Sequence, residues 1–99
     1  MREITDAEFE ATTTAGPTLV DFYSTYCPPC KTLAPILEKL EQENPQITFV
    51  KVNVDEQSLH AGRNGVTSLP TLILYKGGYE EKRHVGLMPA PALKAWLKV

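Results

Sequence analysis

Hydrophobic and polar positions along this chain follow two rhythms. Thr18–Ser24 (TLVDFYS), Ile47–Val54 (ITFVKVNV) and Thr71–Lys76 are near-continuous apolar runs rich in β-branched and aromatic residues, which predicts strands. Between the first two, Leu33, Ile36, Leu37 and Leu40 recur at helical spacing. That predicts a long helix from Pro28 to about Glu43, stopped by Asn44-Pro45 and kinked at Pro35, where the carbonyl four residues back loses its partner. Near the start, Thr5 and Glu8 have capping-box spacing, flanked by Ile4 and Phe9 as a hydrophobic staple. A short helix therefore runs from Asp6 to Thr13, ended by Ala15-Gly16-Pro17. Asp55 reads as the N-cap of a second short helix through His60, closed by Asn64-Gly65. Gly77-Gly78 marks a tight hairpin into Tyr79–Val85, whose charged sequence YEEKRHV suits an edge strand. A final helix carries Leu93, Trp96 and Leu97 on one face.

The order is β-α-β-α-β-α-β-β-α, an α/β fold with one mixed sheet flanked by helices on both faces. No repeat, linker or low-complexity segment divides the chain, so residues 1–99 read as one domain. The strand with Asp21, the Pro35 helix and the strand with Lys51 form a right-handed crossover, which makes the two strands parallel. Cys27 then falls just beyond the carboxyl end of a strand and at the mouth of a helix, where open α/β sheets place their chemistry.

Composition narrows the function. A hydrophobic share of 42% and a charged share of 22% are those of a folded globular chain. A net charge of −2 without a Lys/Arg cluster argues against a nucleic-acid surface, which must neutralise phosphates. No apolar run is long enough to cross a bilayer. The opening MREITDAEFE lacks the apolar core of a signal peptide, so the chain reads as cytoplasmic.

The only two cysteines stand in Tyr26-Cys27-Pro28-Pro29-Cys30. They could be half a metal site, a structural staple or a reversible dithiol. A staple this local constrains the unfolded chain little, and a reducing compartment would not preserve it. Two sulfurs are half of the usual four metal ligands, and His60 and His84 have no ligand spacing around them. Lys31 follows the pair, so covalent haem attachment is excluded as well. By elimination the pair is redox-active, with no metal and no organic cofactor.

A helix N-terminus stabilises a thiolate, which makes Cys27 the nucleophile and Cys30, one turn in, the resolving thiol. Pro28 and Pro29 cost little in a first turn, and their rings stiffen the gap between the sulfurs. Asp21 breaks one apolar strand and Lys51 its neighbour. A buried carboxylate is either paired or kept protonated by desolvation. Two readings stand side by side: Asp21 takes the proton of Cys30, or Asp21 and Lys51 form a structural ion pair. Leu69-Pro70 opens a strand, and from bare sequence an ordinary trans bond is favoured there.

VDFYSTYCPPCK, Pro35, KVNVD, VTSLPT, Gly77-Gly78 and VGL, in this order, resemble thioredoxin along nearly the whole chain. The resemblance implies a small protein-disulfide reductase in which Cys27 attacks and Cys30 resolves. It implies that Asp21 and Lys51 form a buried proton-relay pair beneath the disulfide and that Pro70 is cis and packed against the cysteines. Leu69 would pair its backbone with the substrate as an added strand. Tyr26, Ser68, Gly86 and Leu87 would rim a shallow apolar groove for the target, joined by Pro28 and Pro29 from the motif itself. The implied partners are disulfide-containing proteins and a thioredoxin reductase or equivalent electron donor, with the chain a monomer.

The chain departs from the family pattern at three places. Tyr26 stands where Trp usually precedes the first Cys, Pro28-Pro29 stands for Gly-Pro, and Tyr23 replaces another common Trp. Cys-Pro-Pro-Cys also occurs in the longer tryparedoxins and nucleoredoxins. The residues between the cysteines tune a potential that spans roughly −270 to −120 mV, about 7 kcal/mol, across the family. A non-catalytic interaction module and a more oxidising oxidase or isomerase are the competing readings.

Overall fold

The computed structural model describes residues 1–98. Nine elements follow in the expected order: β1 (Arg2–Glu3), α1 (Asp6–Thr14), β2 (Thr18–Tyr23), α2 (Pro28–Glu43), β3 (Thr48–Asn53), α3 (Leu59–Arg63), β4 (Thr71–Lys76), β5 (Tyr79–Val85) and α4 (Ala90–Leu97). The sheet order is β1-β3-β2-β4-β5. β1 and β2 both pair with β3 in parallel, whereas β4 runs antiparallel to β2 and β5. The β2-α2-β3 crossover thus gives the parallel pair expected of it, and the charged β5 is an edge.

Alternation along the central strands sorts the core into two layers. Leu19, Phe49, Leu72 and Leu74 pack with Leu33, Leu37 and Leu40 of α2 and Leu93 and Leu97 of α4. On the opposite face Val20, Phe22, Val50, Val52, Ile73 and Tyr75 pack with Phe9 of α1 and Ala61 of α3. Period-two alternation forces this division, because successive strand side chains point to opposite faces. Asp21 and Lys51 fall in the phase of Leu19 and Phe49, so both belong to the layer that α2 covers.

α2 runs unbroken across Pro35 and buries Cys30, Leu33, Leu37 and Leu40 along one face. β1 is the strand that opens the expected order, but the hydrophobic pattern assigns it no residues because both are exposed; Ile4, buried behind it, donates its N–H to the Lys51 carbonyl at 2.9 Å.

One expectation is corrected. Asp55 caps no helix: it lies in the turn after β3, and α3 begins at Leu59 behind Ser58. The acceptor for the first N–H groups of α3 comes instead from Asp6, whose carboxylate receives those of Leu59 at 3.1 Å and His60 at 3.2 Å. The Asp6 N–H in turn donates to Gln57 Oε1 at 2.8 Å. A cap supplied from fifty residues away does the work of a local one. At the other end, Asn64 and the left-handed Gly65 close α3 as expected.

Because one carboxylate ties α1 to α3, Asp6→Ala should cost about 1–2 kcal/mol of stability. Urea unfolding should show a lower midpoint at unchanged slope, with Asp6→Asn, which keeps an acceptor oxygen, falling in between.

Candidate active site

Topology gathers the functional positions at one end of the sheet. β2 ends at Tyr23, four residues before Cys27. β4 runs the other way, so its first residue, Thr71, pairs with Phe22 of β2 and with Val85 of β5. Pro70 and Gly86 are therefore carried to the end where Cys27 sits, and the Gly86 N–H donates to the Pro70 carbonyl at 2.8 Å. Gly86 has a φ of 99°, which only glycine adopts without strain. The Leu69–Pro70 bond is cis, as the family resemblance implied and bare sequence did not. Thr71 Oγ1 donates to the Ser68 carbonyl at 2.6 Å and fixes the turn leading into β4.

Cys27 and Cys30 are joined as a disulfide, their Cα atoms 5.2 Å apart. Cys27 is the N-cap of α2, with extended backbone, and Pro28 and Pro29 fill the first turn. The Cys27 N–H donates to the Ser24 carbonyl at 3.3 Å, and the Cys27 carbonyl accepts the Lys31 N–H at 3.2 Å. Since neither proline has an N–H, the sulfur of Cys27 accepts its hydrogen bond from the Cys30 amide, at 3.3 Å. Cys27 is half-buried and Cys30 buried.

Beneath the pair lies a cleft of about 310 Å³ whose walls include Cys30, Asp21, Lys51, Tyr23, Lys31 and Glu38. Asp21 is 3% exposed, and among the described residues its Oδ1 has no hydrogen-bond partner. Burial pushes its carboxyl up to about 7, with the positive charge of Lys51 pulling the other way. Asp21 and Lys51 are register partners on adjacent strands. Among the described residues, however, Lys51 makes no ion pair, so the structural ion pair, one of the two readings of Asp21 and Lys51, is not formed. Its ammonium lies over the ring of Tyr23, 5.5 Å from the centroid, an alternative that strand patterning does not reveal.

The remaining expected positions lie at the same end with differing access. Tyr26 is 87% exposed and Leu87 47% exposed, both large apolar surfaces open to solvent. Pro28, Pro29 and Ser68 are exposed, Leu69 and Gly86 partly buried, and Pro70 buried. Sequence reasoning missed the polar ties that hold the loop before Cys27. Ser24 Oγ donates to Asp55 Oδ2 at 2.6 Å, and Asn53 Nδ2 donates to Thr25 Oγ1 at 3.2 Å. The signal was the run of Ser, Thr, Asn and Asp in two loops that parallel pairing brings together. Among the described residues no group of three or more His, Cys, Asp or Glu side chains is arranged to hold a metal.

A profile of the thioredoxin family matches residues 1–99. The thioredoxin of Bacillus subtilis is 44% identical over 91% of this chain and 88% of its own length. That of Chlamydia pneumoniae is 46% identical over 85% of this chain and 82% of its own. Among solved structures, Plasmodium falciparum thioredoxin superposes with a TM-score of 0.91 at 33% identity, covering 97% of this chain and 95% of that one. With the fold shared to this extent, and a cysteine pair bonded at the mouth of α2, the chain belongs to the thioredoxin family and is a thiol–disulfide oxidoreductase.

Proposed function

We propose that this oxidoreductase runs as a reductase of protein disulfides, with Cys-Pro-Pro-Cys as its active site and residues 1–99 as one monomeric domain, of which Val99 lies outside the described residues. The observation that carries the reading is the graded access of the two sulfurs above a cleft that holds a buried carboxylate whose Oδ1 has no hydrogen-bond partner among the described residues. In the reduced form the Cys27 thiolate attacks a substrate sulfur, releasing one substrate thiolate and forming a mixed disulfide. Cys30 gives its proton to Asp21 and attacks the Cys27 sulfur. The second substrate sulfur leaves as a thiolate, two electrons have passed to the substrate, and the Cys27–Cys30 disulfide remains. A thioredoxin reductase or equivalent donor in the cytoplasm restores the dithiol.

Asp21 suits the proton step because burial brings its carboxyl to about 7, where it can take and release a proton near neutrality. Lys51 moderates that affinity through its charge. Pro70 sits at the end of the sheet where the cysteines are, and Leu69 before it offers backbone to an extended substrate segment. Tyr26, Pro28, Pro29, Ser68, Gly86 and Leu87 surround that segment, and the exposed rings and aliphatic groups among them favour apolar substrate side chains. The fold likeness and the named relatives support the reductive direction.

In an insulin reduction assay driven by dithiothreitol, Cys27→Ser should fall to the rate of dithiothreitol alone. A normal rate in that variant would favour the non-catalytic interaction module, and a measured potential far above that of thioredoxins would favour an oxidase or isomerase.

Asp21 also predicts a pH dependence of folding. Its folded value of about 7 lies above its ordinary 3.8, so the folded state holds the proton more tightly. Its contribution is full below about pH 4, is lost as pH rises through 7, and totals about 4 kcal/mol. In the oxidised protein, unfolding free energy should decline across that window, and Asp21→Asn should flatten the decline. The same variant should slow turnover at least about tenfold at pH 7. Unchanged turnover and an unchanged pH–rate profile would remove Asp21 as the proton acceptor.

A further inference from the structure

Three charged residues form a row across the sheet. Glu3 of β1 is the register partner of Lys51 of β3, which is in turn the partner of Asp21 of β2. Register partners in parallel strands share a face, so Lys51 stands between two carboxylates of unlike surroundings. Glu3 is exposed and Asp21 buried. Lys51 pairs with neither within ion-pair distance.

Tyr23 accounts for where these side chains go. It lies two residues beyond Asp21 on the same face of β2, and its hydroxyl donates to Glu3 Oε1 at 2.5 Å. The phenol spans from β2 to β1, past the intervening strand that carries Lys51, and the Lys51 ammonium rests over its ring. Burial and the Glu3 hydrogen bond both push the phenol's proton affinity upward, so Tyr23 remains a donor throughout the working pH range. One side chain thus occupies the Glu3 carboxylate and seats the ammonium at once.

The geometry points to Glu3 and Tyr23 as positioning residues that decide how much of the Lys51 charge reaches Asp21. With the hydroxyl in place, Glu3 is engaged and Lys51 is held over the ring between its two acidic neighbours. Without the hydroxyl, the freed carboxylate, exposed where Asp21 is buried, competes for Lys51 and draws the ammonium toward β1. Asp21 then loses part of the cationic neighbour that its strand register gives it. Neither residue touches the reacting sulfurs; both act through Lys51.

The other groups around Asp21 do not duplicate this control. From α2, Lys31 and Glu38 line the cleft with opposite charges, and Cys30 is held in the disulfide. The Met1 amine is engaged with Glu41 at 3.3 Å. Glu56, beyond β3, acts on Tyr23. From β4 the register partner of Asp21 is the apolar Leu72.

This inference rests on Asp21 being the group whose proton affinity matters, but its test does not need catalysis. The Asp21 carboxyl is titrated in the oxidised protein by side-chain carbon NMR. Tyr23→Phe keeps the ring for Lys51 and should raise the midpoint by about half a pH unit or more, a threefold gain in proton affinity. Glu3→Gln should lower it, because the competing carboxylate is gone. Tyr23→Phe combined with Glu3→Gln should titrate with Glu3→Gln, since the hydroxyl then has no carboxylate to occupy. Glu3 is exposed, so its variant keeps the measurement in hand even where Tyr23→Phe weakens the fold. Midpoints that stay put in both single variants overturn the assignment. So does a Tyr23→Phe shift of full size in the Glu3→Gln background, which a packing role would give. Should the midpoints move as stated while the pH–rate profile of disulfide reduction stays fixed, the positioning holds and the proton-acceptor role of Asp21 falls.

Discussion

A carboxylate sealed in the middle of a sheet is costly, and much of this site is organised around that cost. Asp21 sits where a Leu or Val would stabilise the fold better, in the layer that α2 covers, with an oxygen that has no hydrogen-bond partner among the described residues. Desolvation holds its proton to near neutrality, and the adjacent Lys51 limits how far that goes. Packing of α2 over β2 and β3 does two things together: it buries the acid and lowers the second sulfur toward the cleft. Under the proposed proton step, the tension between folding and chemistry is concentrated at one residue.

Placement of the dithiol follows from connectivity more than from any local feature. Parallel pairing of β2 with β3 requires a helical crossover, and the helix must start where β2 ends. Antiparallel β4 and β5 then return Pro70 and Gly86 to that end. Positions at the ends of several elements are gathered there because the strand directions leave them nowhere else to go.

Much of this was legible in the sequence, for identifiable reasons. Buried strands and the long helix announce themselves by composition and period, and the hairpin by Gly77-Gly78. β1 left no such trace, since two exposed residues carry no period. The cap of α3 was misread because the acceptor comes from Asp6, and a local rule cannot see a donor and acceptor brought together by tertiary packing. Lys51 does stand beside Asp21 in register, as strand spacing implies, but spacing does not say where a four-carbon stem ends, and here the ammonium reaches an aromatic ring. Cys27, Cys30 and Asp21 could be nominated from residue type and position alone. The parts proposed for Tyr23 and Glu3 required the register of a strand to which the pattern assigned no residues.

The paired prolines carry one more implication. By removing the amides at the first two positions of the helix, they leave the outer sulfur leaning on the backbone of its own companion. Charge on one thiol and the seat of the other are consequently a single mechanical quantity. A shift of Cys30 toward or away from its bonding partner also moves the one amide that, among the described residues, donates to the Cys27 sulfur, so the two adjustments are linked.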